Sequence, residues 1–140
     1  MAISYLLDTN ILSHLMRQPQ GVVADHIAEV GEDNVLTSIV VACELRYGAT
    51  KRASRKLTRR VEAILGAIAI LPLEAGVEGH YAAIRSALET KGTPIGAHDM
   101  LIAAHARAIG AVCVTGNVAE FRRVPSLRVE NWLPTSRTRL

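Results

Sequence analysis

Five short segments rich in aliphatic residues, at residues 3–7, 35–38, 68–73, 111–115 and 127–129, punctuate this 140-residue chain, and stretches mostly of helix length separate them. That alternation constrains the fold more than any other feature. A short run that is apolar along its length, not at every second position, suits a strand covered on both faces. Strands of that kind joined by helices give an α/β fold with a mostly parallel central sheet. The intervening segments carry start and stop signals. Thr9 or Asn10 is expected to cap a helix running through about Arg17, which Pro19-Gln20-Gly21 breaks. Residues 22–30 read as a second helix. Ser38 is expected to cap a third over residues 39–47, with Gly48 as its stop. Further helices are expected at residues 54–65, 77–90 and 98–109, the last ended by Gly110, with a loop over residues 91–96.

Hydrophobic residues make up 49% of the chain, so a full core is available to a single domain of this size. Aromatic residues are only 4%, which makes that core aliphatic. Residues 1–133 are expected to form one domain and residues 134–140 a flexible tail. Cys43 and Cys113 each lie in an apolar run and read as reduced, buried core thiols, which fits a reducing cytoplasm. The opening residues have no basic region and Asp8 cuts their apolar run short, so no signal peptide is expected. The longest apolar stretch, residues 63–73, falls short of the roughly 20 residues that span a bilayer. A soluble cytoplasmic protein is the resulting expectation.

Acidic residues interrupt the apolar pattern at four places: Asp8 after the first run, Glu44 inside the third helix, Asp99 at the start of the sixth, and Glu120 just beyond Thr115-Gly116-Asn117. A carboxylate among aliphatic side chains costs free energy unless a cation or strong hydrogen bonds compensate it. Each has an ordinary alternative. Asp8 can cap the next helix, Glu44 can reach from an apolar helix to solvent, and Asp99 can answer a helix dipole. Asn117 and Glu120 can form a turn with a capping box. Together, however, Asp8 and Asn117 follow strands, while Glu44 and Asp99 sit on helices that follow strands or loops. A parallel sheet would bring all of them to one edge, where α/β sheets bind ligands. Such a pocket suits Mg²⁺ or Mn²⁺. Thr115 and Asn117 could orient a carboxylate or a metal-bound water.

The four segments, taken in order, resemble those of PIN-domain ribonucleases, and more narrowly the VapC toxins of bacterial toxin–antitoxin pairs. The matching stretches are Leu6-Leu7-Asp8-Thr9-Asn10-Ile11-Leu12, Glu44-Leu45-Arg46-Tyr47-Gly48-Ala49, Asp99-Met100-Leu101-Ile102-Ala103-Ala104-His105-Ala106 and Val114-Thr115-Gly116-Asn117-Val118-Ala119-Glu120-Phe121, with a further likeness over residues 124–132. The resemblance implies an α/β/α sandwich and metal-dependent RNA hydrolysis by activated water. It implies Asp8, Glu44 and Asp99 as the acidic core that holds the metal, with Asp8 and Asp99 as direct ligands. Asn117 stands where some members carry Asp, and Glu120 is the substitute for the fourth role. Gly116 replaces a polar residue. The resemblance further implies a transfer RNA substrate, a homodimer, and a VapB-type antitoxin whose C-terminal segment blocks the pocket with a basic side chain.

The net charge is +3 and uneven: Lys51, Arg52, Arg55, Lys56, Arg59 and Arg60 crowd ten residues without an acid. Such a cluster is either a solvated helix face or a phosphate-binding one. Arg46, Arg55, Arg59 and Arg122 are the expected RNA contacts, with shape recognition favoured over base stacking because aromatics are few. Two readings compete with the nuclease. One is a non-catalytic nucleic-acid-binding or regulatory domain; the other is a phosphoacceptor switch at Asp8, which lacks the adjacent acidic pair and late lysine such a switch needs. The chain has no zinc-type histidine spacing, nucleophile elbow or phosphate-loop motif. His98 and His105, seven apart, are expected on a helix surface.

Overall fold

A computed structural model describes residues 2–134, so all of the expected tail except Pro134 lies outside the described residues. The chain runs β1 (Tyr5–Leu7), α1 (Thr9–Arg17), α2 (Val22–Val30), β2 (Val35–Ser38), α3 (Ile39–Arg52), α4 (Arg55–Ala67), β3 (Ala69–Leu71), α5 (Val77–Thr90), α6 (Ala97–Ile109), β4 (Val112–Val114), α7 (Val118–Phe121) and β5 (Val129–Glu130). The five strands form one sheet in the order β3-β2-β1-β4-β5, and every pairing is parallel. In the middle of the sheet Leu6 lies beside Leu36 on one side and Cys113 on the other. Leu6, Leu7, Cys113 and Val114 are fully buried, as central strands covered by helices must be.

Several boundaries differ from the expectation, each for a physical reason. The cap of α1 is Asp8, whose carboxylate accepts from the Thr9 amide at 2.7 Å. Helix α3 does have Ser38 as its cap, but it passes through Gly48 and continues to Arg52. One internal glycine costs a helix only about 1 kcal/mol, and burial of Leu45 and Ala49 on either side more than offsets that. The stop comes instead at Ala53, which adopts a left-handed conformation (φ 51°) before Ser54 caps α4. Cys43 is exposed rather than buried. It lies on the outward stripe of α3 with Ile39 and Tyr47, one turn to either side and also exposed, opposite Val41 and Leu45. Of the few aromatics, Phe121 and Trp132 are buried; Trp132 stacks on His26 with ring centres 5.0 Å apart.

The strand order fixes where a site can form. From β1 the chain builds outward through β2 and β3 on one side, then returns to build β4 and β5 on the other. β1 and β4 are therefore the pair at which the winding direction reverses. Beyond the carboxyl ends of such a pair the following segments diverge and leave a crevice. Asp8 leaves β1 there, its amide bonded to the Val114 carbonyl at 2.9 Å, and Thr115 leaves β4 beside it.

Candidate active site

Asp8, Glu44, Asp99 and Asn117 all line one open pocket of about 470 Å³ at that crevice, together with Thr9, Asn10 and Gly116. The four come from four different segments: the end of β1, the middle of α3, the first turn of α6 and the turn after β4. A larger cavity of about 600 Å³ lies between α1, α2 and α4, but its walls include the apolar Leu12, Leu15, Ile27 and Ile64 and none of the four.

Asp8 is the deepest of the acids, only 4% exposed. One carboxylate oxygen accepts from the Thr9 amide, and the other accepts from the Thr115 hydroxyl at 2.8 Å. Thr115 is held in turn, because its hydroxyl oxygen accepts from the Asn117 amide at 3.0 Å. Loss of hydration pushes the Asp8 carboxyl up to about 6; the two hydrogen bonds pull against that shift, and the nearby charges of Asp99 and Glu44 add to it. Asp99 is less enclosed. Burial and then the Glu44 charge raise its pKa, while a hydrogen bond from the Asn117 side-chain amide, at 3.2 Å, opposes the rise.

Glu44 reaches the same space from α3. Its carboxylate accepts from the Thr9 hydroxyl and faces the His98 ring nitrogen at 3.2 Å. Neighbours along its own helix gave no hint of a basic partner; His98 arrives from α6. No Lys or Arg forms an ion pair with Asp8, Glu44 or Asp99 among the described residues. The pocket, whose lining also includes Ser13 and the exposed Arg17, thus concentrates three carboxylates without a Lys or Arg ion pair among the described residues, and that is the donor chemistry of a hard divalent cation. As the side chains stand, no three Asp, Glu, His or Cys groups among the described residues form a closed ligand cluster. Mg²⁺ does not require one, since it keeps several waters and is held by one or two carboxylates.

The turn after β4 settles the geometry of the fourth segment. Asn117 lines the pocket, whereas Glu120 stands outside it and reaches Asp99 only through its charge. The capping-box alternative is absent, since Asn117 makes no side-chain cap for α7. At Gly116 the backbone amide donates to the Asn10 side chain at 3.1 Å, and a Cβ would come within 2.5 Å of the Leu133 side chain.

Three functional features escaped the sequence reading. Thr9 supplies the hydroxyl that holds Glu44, and its adjacency to Asp8 is the available signal; Thr115, expected to orient a carboxylate, does so at Asp8. His98 touches Glu44, and no local spacing announces that. His105 is buried, not on a surface: its ring nitrogen meets the Ser38 hydroxyl at 2.7 Å, and burial lowers its pKa. Of the expected RNA contacts, Arg46 pairs with Glu62, while Arg55, Arg59 and Arg122 are exposed; none of the four lines the acidic pocket.

Comparison with known proteins gives the family. The PIN domain family model matches residues 5–127. Ribonuclease VapC2 of Rickettsia felis is 34% identical over 130 residues, covering 91% of this chain and 97% of the relative. The tRNA(fMet)-specific endonuclease VapC of Salmonella typhimurium is 33% identical over 134 residues, covering 93% and 98%. Among solved structures, VapBC2 from Rickettsia felis bound to a promoter DNA fragment superposes with a TM-score of 0.86 at 32% identity, over 94% of this chain and all of that one. DNA-bound VapBC from Salmonella typhimurium gives 0.84 at 31% identity, over 94% and 99%. On sequence and on fold alike, this chain belongs to the PIN-domain family, among the VapC ribonucleases.

Proposed function

We propose that this chain is the toxin of a toxin–antitoxin pair, a Mg²⁺-dependent endoribonuclease in which Mn²⁺ can replace Mg²⁺, acting on transfer RNA in the cytoplasm. The observation that carries the reading is the convergence of Asp8, Glu44 and Asp99, from three separate elements, in one pocket without a Lys or Arg ion pair. A bound divalent cation would lower the pKa of a coordinated water and polarise the phosphoryl oxygen under attack. Asp8 and Asp99 would hold that cation. Thr115 and the Thr9 amide fix Asp8, and Asn117 fixes Asp99. Glu44, tethered by Thr9 and His98, is the third carboxylate and would orient water at the pocket mouth. Asn117 takes the fourth place in the constellation, and Glu120 contributes from outside as negative charge near Asp99. Arg46, Arg55, Arg59 and Arg122 serve as outlying phosphate contacts.

The partner is a VapB-type antitoxin. The apolar cavity between α1, α2 and α4 is suited to an amphipathic segment of it, and a basic side chain entering the acidic pocket would compete with the metal. Self-association as a homodimer would cover the exposed Ile39, Cys43 and Tyr47 stripe. No helix among the described residues is long and apolar enough to cross a membrane.

The test is cleavage of bulk transfer RNA with Mg²⁺, with and without a chelator. Cleavage that stops on chelation, and is lost in both Asp8→Asn and Asp99→Asn, supports the enzyme. Full activity of both variants sinks the assignment; tight RNA binding with no cleavage returns the non-catalytic reading.

A further inference from the structure

A second cleft of about 350 Å³ between α1, α3 and α4 adjoins the acidic pocket, and the two share Thr9, Ser13, Arg17 and Glu44 in their walls. Arg52 and Arg60 face this cleft from the last turn of α3 and the middle of α4. Its floor is apolar, with Leu45 and Val61 buried beneath it. The three arginines are exposed, and none forms an ion pair or a side-chain hydrogen bond among the described residues. By contrast Arg46, on the same helix as Arg52, is already engaged by Glu62.

We propose that this cleft is the track for the sugar–phosphate backbone of the RNA strand being cut, with Arg17, Arg52 and Arg60 binding the phosphates next to the scissile one. The assignment rests on the ribonuclease reading of the acidic pocket and adds the direction in which the strand leaves it. A phosphate drawn to a metal among carboxylates carries neighbours that those carboxylates repel. Those neighbours need cations within one or two nucleotides. The remaining walls of the acidic pocket, Asn10, Gly116 and Asn117, offer none, and Arg17 is its one basic residue. Free guanidinium groups at the boundary and along the cleft meet that need, since an arginine fork binds a phosphate through two hydrogen bonds. The cluster at residues 51–60 thereby divides: Arg52 and Arg60 face the strand, while Arg55 and Arg59 do not line the cleft.

The experiment compares the full-length chain with Arg52→Ala/Arg60→Ala and Arg52→Lys/Arg60→Lys variants. Arg128→Ala, an exposed cation outside both pockets, is the control. Steady-state cleavage of bulk transfer RNA with Mg²⁺ gives KM and kcat, and anisotropy with labelled transfer RNA in chelator gives binding at several salt concentrations. The double alanine variant is expected to raise KM and Kd by about tenfold or more. It should also reduce the slope of log K against log salt by about 1.4, from roughly 0.7 per phosphate contact. The lysine variant should keep most of the slope, and Arg128→Ala should match wild type in every readout. Circular dichroism checks that each variant is folded. If wild type cleaves while the alanine variant keeps its KM, Kd and salt slope, the track is wrong and the nuclease stands. If wild type does not cleave, the nuclease reading fails, and an unchanged salt slope then overturns the track as well.

Discussion

Asp8 is asked to do two things at once, and its surroundings record the conflict. It caps α1 and is nearly sealed from water, yet the proposed role as a metal ligand would require it to be ionised. Its carboxyl stands at about 6 instead of 3.8, so the metal-free folded chain binds that proton more tightly than the unfolded chain does. The sign follows: this contribution to stability is fully present below about 3.8 and is lost as pH rises through about 6. The Asp99 carboxyl, also raised, acts in the same direction. Metal-free Asp8→Asn should therefore be more stable than wild type at pH 8, by up to roughly 3 kcal/mol, and the gain should shrink towards pH 4; urea denaturation at the two pH values in chelator measures it. The same variant should lose cleavage. Thr115→Val removes a hydroxyl that lowers the Asp8 pKa, so the Asp8 carboxyl should titrate at a higher pH in that variant by carbon-13 NMR. A titration unchanged from wild type would show that the Thr115 contact is not made in solution.

Elements were legible in the sequence wherever one local signal decided them. The helix Val22–Val30, the strand Val35–Ser38 and the helix Val77–Thr90 lie where periodicity and apolar runs placed them. Gly48 misled because a helix end was inferred from one residue, while the real stop depends on how α3 packs along its length and on the turn at Ala53. Tertiary burial outvotes a single weak breaker. His105 misled for a related reason: its partner, Ser38, lies 67 residues away, on the strand–helix junction that positions Glu44. That junction is a joint between elements and its energy can be measured. Ser38→Ala removes the α3 cap and leaves the buried His105 ring without its partner, so the expected loss is about 2–3 kcal/mol, combining a cap and an unsatisfied buried group. Denaturant unfolding tests it. A loss below about 0.5 kcal/mol would show that the His105–Ser38 contact contributes little to the fold.

At the scale of the molecule, the acids could be named from sequence but their meeting could not be measured there. Asp8, Glu44 and Asp99 were recoverable because each sits in apolar company, and that mismatch survives any uncertainty in boundaries. Where Asn117 and Glu120 stand relative to the pocket needed the turn after β4, and the cationic cleft needed α1, α3 and α4 placed side by side. A cation that binds the folded chain and not the unfolded one must raise the melting temperature. Mg²⁺ or Mn²⁺ should stabilise wild type, by roughly 2.7 kcal/mol at a concentration one hundred times the dissociation constant. Asp8→Asn and Asp99→Asn should respond weakly or not at all in differential scanning fluorimetry. An equal response from all three proteins would place the metal elsewhere.

The pairing of β1 with β4 has a consequence for how such a protein is made. The Thr115–Asp8 hydrogen bond joins groups 107 residues apart, and β4 cannot take its place in the sheet until that late segment exists. During synthesis Asp8 can meet the Thr9 amide at once, but it waits through a further 107 residues for its Thr115 partner. The acidic pocket is therefore assembled late, because the order of the strands puts the neighbour of β1 far down the chain.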